Sequence, residues 1–230
     1  MQAEARKAVV YPTSDGKPMA ENTLQYQWIT TLKGHIDATL PDFVAGDLLW
    51  YPVEGDNTIS RAPDVLVAFG RPKGHRGSYL QWLEDGVAPQ VVIEVLSPSN
   101  PTRELREKHA FYETYGVQEY LVIDPDRHTL KVGLREGGPD CPLLLRDITS
   151  RYPSDRLRLV FRIAQTESGP ELIVTDADGE KLLTFEELHH DRERQRAAAE
   201  EALAARELAE ARAARLAERL RELGLDPDEI

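Results

Sequence analysis

The 230 residues, 41% of them hydrophobic, are enough for one substantial globular core with chain left over for an appendage. A formal charge of −12 argues against strong nonspecific binding to nucleic acid, which draws its affinity from Lys and Arg, and a lone cysteine, Cys141, rules out an internal disulfide framework or a cluster of thiolate metal ligands. No apolar run reaches the roughly 18–20 residues that span a bilayer, and the N-terminal stretch lacks the apolar centre of a signal peptide, so a cytoplasmic location is expected.

Residues 1–19 read as a flexible segment, 20–184 as a mixed α/β domain and 185–230 as a long helical tail. In ENTLQYQWITTLKGHI, Leu24, Trp28, Leu32 and Ile36 fall at helical spacing and predict a first amphipathic helix. FVAGDLLWYP, APDVLVAFG and QVVIEVLS read as strands. The last is apolar on both faces apart from Glu94, as befits a central strand covered on both sides. Asn100 and Pro101 predict the start of a second helix over TRELREKHAFYETYG, and Gly116 predicts its end.

Further strands or hairpins are expected at EYLVIDP, TLKVGL, LRLVFRI, ELIVTD and KLLTF. The run DADGE around Asp176 lacks the full ligand spacing of a calcium loop and reads as a turn. From Phe185 to Leu223 the composition turns to Ala, Glu, Arg and Leu. Ala209, Ala213, Leu216, Leu220 and Leu223 alternate four and three apart as the seam of a coiled coil, with Leu203 and Leu208 off it, which predicts a homodimer.

Three ionisable residues sit where apolar ones belong. Glu94 shares a strand face with Val92 and Leu96, so it needs either a cationic partner or a place near the strand end. Asp64 shares a face with Leu66 and Ala68, and pairing of the two strands would let both carboxylates converge. That repulsion is relieved by a proton or a hard cation, unless Asp64 merely opens its strand after a turn. Lys108 falls within the apolar stripe of Leu105, Phe111, Tyr112 and Tyr115, so its head either snorkels to solvent or reaches carboxylates or a phosphate. Glu21 and Gln25 project onto the apolar arc of the first helix, although a glutamate in a first turn is favoured by the helix dipole alone. Between the acid-bearing strands, Arg71, Lys73, His75 and Arg76 interleave with Tyr79 and Trp82, as in a loop that contacts phosphates and stacks a base, or in an ordinary basic loop.

PDVLV, VVIEVLSPSN and REKHAFYETYGVQEYLVIDP, in this order, resemble the Uma-two family of restriction endonuclease-like proteins in the PD-(D/E)XK nuclease superfamily. The resemblance covers roughly residues 20 to 136. ENTLQYQWI and AGDLLWYP are similar to a branch of that family in which an Ala-, Glu- and Arg-rich tail is common. The resemblance implies a restriction-endonuclease-like fold, a mixed central sheet flanked by helices, that hydrolyses DNA phosphodiesters with Mg2+, or Mn2+ in its place. Asp64 then matches the family's Pro-Asp acid and Glu94 its second acid. The superfamily's usual lysine position falls here on Leu96, and the family carries its lysine on the following helix, where Lys108 stands. By that resemblance Asp64, Glu94 and the Val95 carbonyl hold the metal, and Lys108 orients water or stabilises developing charge. Glu21 takes the part of a first-helix acid, and Asp47 is a weaker candidate. The competing expectation is a noncatalytic scaffold that keeps the fold and self-associates through its tail. The net charge favours the scaffold, and three inward ionisable groups favour the enzyme.

Overall fold

Valine-rich strands with apolar residues on both faces form the middle of a six-stranded sheet. The structure, a computed structural model, describes residues 9–99, 101–138, 140–167 and 169–223. In chain order the elements are α1 (Thr23–Thr39), β1 (Asp42–Gly46), β2 (Trp50–Tyr51), β3 (Val65–Pro72), β4 (Tyr79–Leu80), β5 (Val91–Val95), α2 (Thr102–Thr114), β6 (Glu119–Asp124), β7 (Thr129–Leu134), β8 (Leu144–Ile148), β9 (Tyr152–Ser154), β10 (Leu159–Thr166), β11 (Gly169–Asp176) and α3 (Phe185–Glu222). The large sheet runs β1-β3-β5-β6-β7-β8. Only its β5–β6 pair is parallel, and α2 makes the crossover between those two strands. This is the expected mixed sheet flanked by helices.

The two faces of the sheet bury separate cores. On one, Val65, Val67, Val91, Ile93 and Val95 pack with Trp28, Ile29, Leu32 and Ile36 of α1 and with Leu159, Phe161 and Val174 from the antiparallel β9–β11 sheet. On the other, Leu66, Ala68, Val92, Tyr120 and Val122 pack with Phe111 and Tyr112 of α2 and with Trp50 and Tyr79. Asn22 caps α1 by accepting the Gln25 N–H at 2.8 Å. Gly116, at φ +97°, ends α2 in the left-handed conformation that glycine adopts without penalty, and the Val117 N–H donates back to the Tyr112 carbonyl at 3.0 Å.

Several expectations change. FVAGDLLWYP is two strands, because Asp47 turns the chain at φ +48° and its N–H donates to the Pro63 and Asp64 carbonyls. LLRDI forms the edge strand β8, which its exposed side chains concealed. KLLTF is no strand: Lys181 makes one isolated bridge to Thr175, and Thr184 then caps α3 in a reciprocal box with Glu187. DADGE is a turn as expected, in which the Asp176 carboxylate accepts the Asp178 and Glu180 N–H groups. Asn100, expected to start α2, lies outside the described residues, and Pro101 occupies the cap position.

Within the segment up to residue 19, read as flexible, residues 10–12 contact the folded domain. The Tyr11 ring packs against Tyr51 and Trp82, and the carbonyls of Val10 and Pro12 accept from Asn57 and the Tyr51 hydroxyl. These partners lie some 40 residues away in sequence, beyond the reach of local patterning.

By contact density the chain divides at Leu182/Leu183. The second unit is α3, 38 residues long and without a buried side chain. Among the described residues no helix is long and apolar enough to cross a membrane.

Candidate active site

Asp64 immediately precedes β3, and extending the β3–β5 register of Val65 with Ile93 by one residue sets it across from Glu94. Both carboxylates therefore lie on the α2 side of the sheet, and both are buried. The Asp64 Oδ2 accepts the Val95 N–H at 2.6 Å. Glu94 is gripped from α2, where Lys108 and Tyr112 stand four residues apart on one helical face. The Lys108 Nζ lies 2.6 Å from Glu94 Oε2, and the Tyr112 hydroxyl donates to Oε1 at 2.5 Å. Lys108 thus points inward and does not snorkel; its side chain is 15% exposed. Tyr112 appeared in the sequence only as part of the apolar stripe, although its spacing from Lys108 foretells a shared target.

Asp64, Glu94 and Lys108 form the wall of a cavity of about 500 Å3 whose lining also includes Glu21, Gln25, Asp47, Arg61, Val95 and Leu96. Glu21 lies just ahead of α1, outside the helix in which it was expected. Its N–H donates to the Gln25 side chain at 2.9 Å, and its carboxylate accepts the Ser97 hydroxyl. Gln25, buried on α1, donates its amide to the Val95 carbonyl at 2.7 Å, so that carbonyl already holds one partner. Leu96, at the superfamily's lysine position, packs against the α2-side core.

The electrostatics follow from burial. Desolvation, and then the neighbouring Glu94, push the Asp64 carboxyl well above the usual carboxylate range. Burial alone would lower the Lys108 ammonium, but Glu94 and Asp64 outweigh it and hold the group above its ordinary value. Desolvation and Asp15 raise Asp47. Two buried carboxylates facing one ammonium need a proton or a further cation between them. With the Val95 carbonyl they make an all-oxygen donor set, the composition that suits a hard divalent cation. Among the described residues no three His, Cys, Asp or Glu side chains are spaced to cage a metal ion. An ion here would complete its shell with water or substrate, as Mg2+ ordinarily does.

The basic loop stands apart from this cavity. Arg71 pairs with Asp85 at 2.5 Å, and Lys73 pairs with Asp37 at 2.9 Å. Arg76 engages both Glu84 oxygens at 2.5 and 3.2 Å and lies 3.9 Å over the Phe43 ring. Against the upward pull of burial, Lys33 and Lys73 hold the Asp37 carboxyl below its ordinary value. Tyr79 cannot stack a base in this arrangement, because it is fully buried against Phe43 and donates its hydroxyl to the Val87 carbonyl.

No curated protein matches the chain. Among solved structures it is similar to the crystal structure of a "putative nuclease belonging to DUF820" from Anabaena variabilis, at 18% identity over 59% of this chain and 74% of that one, with a TM-score of 0.43. The Uma2 family, "Putative restriction endonuclease", matches residues 16–145, more than half of the chain, and the protein is a member of that family.

Proposed function

We propose that the chain is a divalent-cation-dependent endodeoxyribonuclease and that Asp64, Glu94 and Lys108 form its active site. The observation that carries this reading is the convergence of two buried carboxylates with an inward lysine 2.6 Å from one of them, on the wall of an open cavity. Asp64, Glu94 and the Val95 carbonyl would hold Mg2+ or Mn2+, which supplies Lewis-acid polarisation of the scissile phosphate and a lowered pKa for the attacking water. Lys108, kept cationic by its two acid neighbours, stabilises charge developing on the phosphate oxygens. Tyr112 fixes the Glu94 carboxylate so that its second oxygen faces Lys108. Glu21, anchored through Ser97, is the further acid at the cavity wall able to hold a metal-bound water.

Arg71 and Lys73, whose partners Asp85 and Asp37 lie at the surface, contribute DNA contacts by exchanging those partners for phosphates. Arg76, with only 14% of its side chain exposed, steadies the loop. Two copies associate through α3, which suits cleavage of both strands of a duplex.

A noncatalytic scaffold is the second reading, favoured by the charge of −12 and by a 38-residue helix with no buried side chain. Nicking of supercoiled plasmid in Mg2+ or Mn2+ separates the two. Cleavage should disappear in Glu94→Gln and fall by about 100-fold or more in Lys108→Met. Equal nicking by wild type and Glu94→Gln would refute the nuclease assignment at this site.

A further inference from the structure

The acidic cavity poses a problem for a polyanionic substrate, because Asp15, Glu21, Asp47 and Glu104 line it in addition to the two buried acids. Counter-charge must come from somewhere other than Lys108, which Glu94 already holds. Two further cations line the same cavity. Arg61 arrives on an isolated antiparallel bridge to Trp50 just before Asp64, and Lys17 on the N-terminal segment. Both also line an adjoining hollow of about 360 Å3, where Arg103 joins them beside the first turn of α2. The two hollows therefore meet along a seam that carries Arg61 and Lys17 together with Glu104, the loose partner of Lys17.

The pairing of these cations differs from that of the basic loop. Arg61 approaches Glu107 only to 4.0 Å, and Glu107 is held more closely by Arg103 at 2.8 Å. The Arg61 guanidinium is nevertheless fixed in place. It donates to the Ser60 carbonyl at 2.8 Å and lies 5.5 Å from the centre of the Phe111 ring, with 36% of the side chain open to solvent. Lys17 stands 3.6 Å from Glu104 with 70% of its side chain exposed. An oriented, solvent-reaching guanidinium presents the planar fork that matches phosphate oxygens, and the exposed ammonium adds a point charge beside it.

We infer that Arg61 and Lys17 form a phosphate-binding seam that receives the nucleic-acid backbone next to the scissile phosphodiester and leads it from the second hollow into the cavity of Asp64 and Glu94. This inference deepens the nuclease reading and rests on it for the identity of the substrate. Arg61 stands three residues before Asp64 with its backbone held in a bridge to Trp50, which would set the spacing between backbone contact and reacting phosphate.

The test is fluorescence anisotropy of a labelled single-stranded DNA oligonucleotide on the full chain in Ca2+, over a range of salt, with plasmid nicking in Mg2+ measured in parallel. Arg61→Ala and Lys17→Ala should each weaken binding about fivefold or more, and the double variant should flatten the salt dependence by about one to two phosphate contacts. Arg61→Lys should recover only part of the loss, because it restores charge without the fork. Lys131→Ala, an exposed cation on β7 paired with Asp147, is the charge-matched control and should bind as wild type does. Unchanged affinity and salt slope in the double variant would overturn the seam while leaving the nuclease reading intact. Arg61-dependent binding without nicking would keep the seam and sink the nuclease reading. No binding by the wild type even at low salt would overturn both.

Discussion

At the scale of residues, Asp64 is a buried acid whose burial is costly and whose proposed function would require it. Its carboxyl is raised by desolvation and by Glu94. The folded chain therefore holds a proton that the unfolded chain releases near the ordinary value of 3.8. The stability linked to this group is present below that value and is lost as pH rises through the folded pKa. In chelator, urea unfolding should accordingly show Asp64→Asn gaining on the order of 1–2 kcal/mol over wild type at neutral pH, with the gap closing in acid, while nicking is abolished. A wild type as stable as the variant at neutral pH would remove the argument that the acid pair is strained without a cation. Glu119 obeys the same sign away from the site. Burial raises its carboxyl despite donation from Tyr152 at 3.1 Å, so Glu119→Gln should flatten the loss of stability above pH 4.5 without altering cleavage. Lys108 was legible because a lysine interrupting an apolar helical stripe has few places to go. Arg61 was not, since nothing local marks out an arginine between Ser60 and Ala62, and its bridge to Trp50 is a tertiary contact. Its neighbours Phe111 and Glu107 are supplied by the fold.

At the scale of elements, the sequence was readable where periodicity and covalent constraint agree. The runs VVIEV and EYLVID, apolar on both faces, became the adjacent strands β5 and β6, and the proline and glycine flanking α2 bound it closely. It was unreadable where tertiary partners decide. The left-handed Asp47 breaks an apparently continuous strand, and β8 hides behind exposed leucines at a sheet edge. Residues 10–12 are held by Tyr51, Asn57 and Trp82. The tail belongs to this scale too. Leu216 and Leu223 on the proposed seam are each 66% exposed, but so, nearly, are the off-seam Leu203 and Leu208, at 58% and 54%. A second copy of α3 packed along the seam would cover the first pair and leave the others at its margin. Light scattering should therefore find two copies per particle for the full chain and one for a chain ending at Leu182. A dimer that survives this truncation would place the association elsewhere.

At the scale of the whole molecule, a charge of −12 opposes the polyanion that the cavity is proposed to receive. The chain's cations are spent unevenly. Those of the basic loop hold acid partners at 2.5–2.9 Å and must exchange them to meet a phosphate, whereas Arg61 and Lys17 reach the cavity in looser pairs at 4.0 and 3.6 Å. Bound divalent ions would neutralise the acid pair and create favourable local charge at the one place where the backbone must approach. Binding of metal and binding of DNA should then be cooperative and strongly salt-dependent. The most direct measurement is calorimetric titration of Mn2+ into the wild type and into an Asp64→Ala, Glu94→Ala double variant, both shown to be folded. Saturable binding by the wild type that vanishes in the variant is the predicted result. Equal binding by both proteins, or none by the wild type at millimolar Mn2+, would contradict a metal-dependent site built on Asp64 and Glu94.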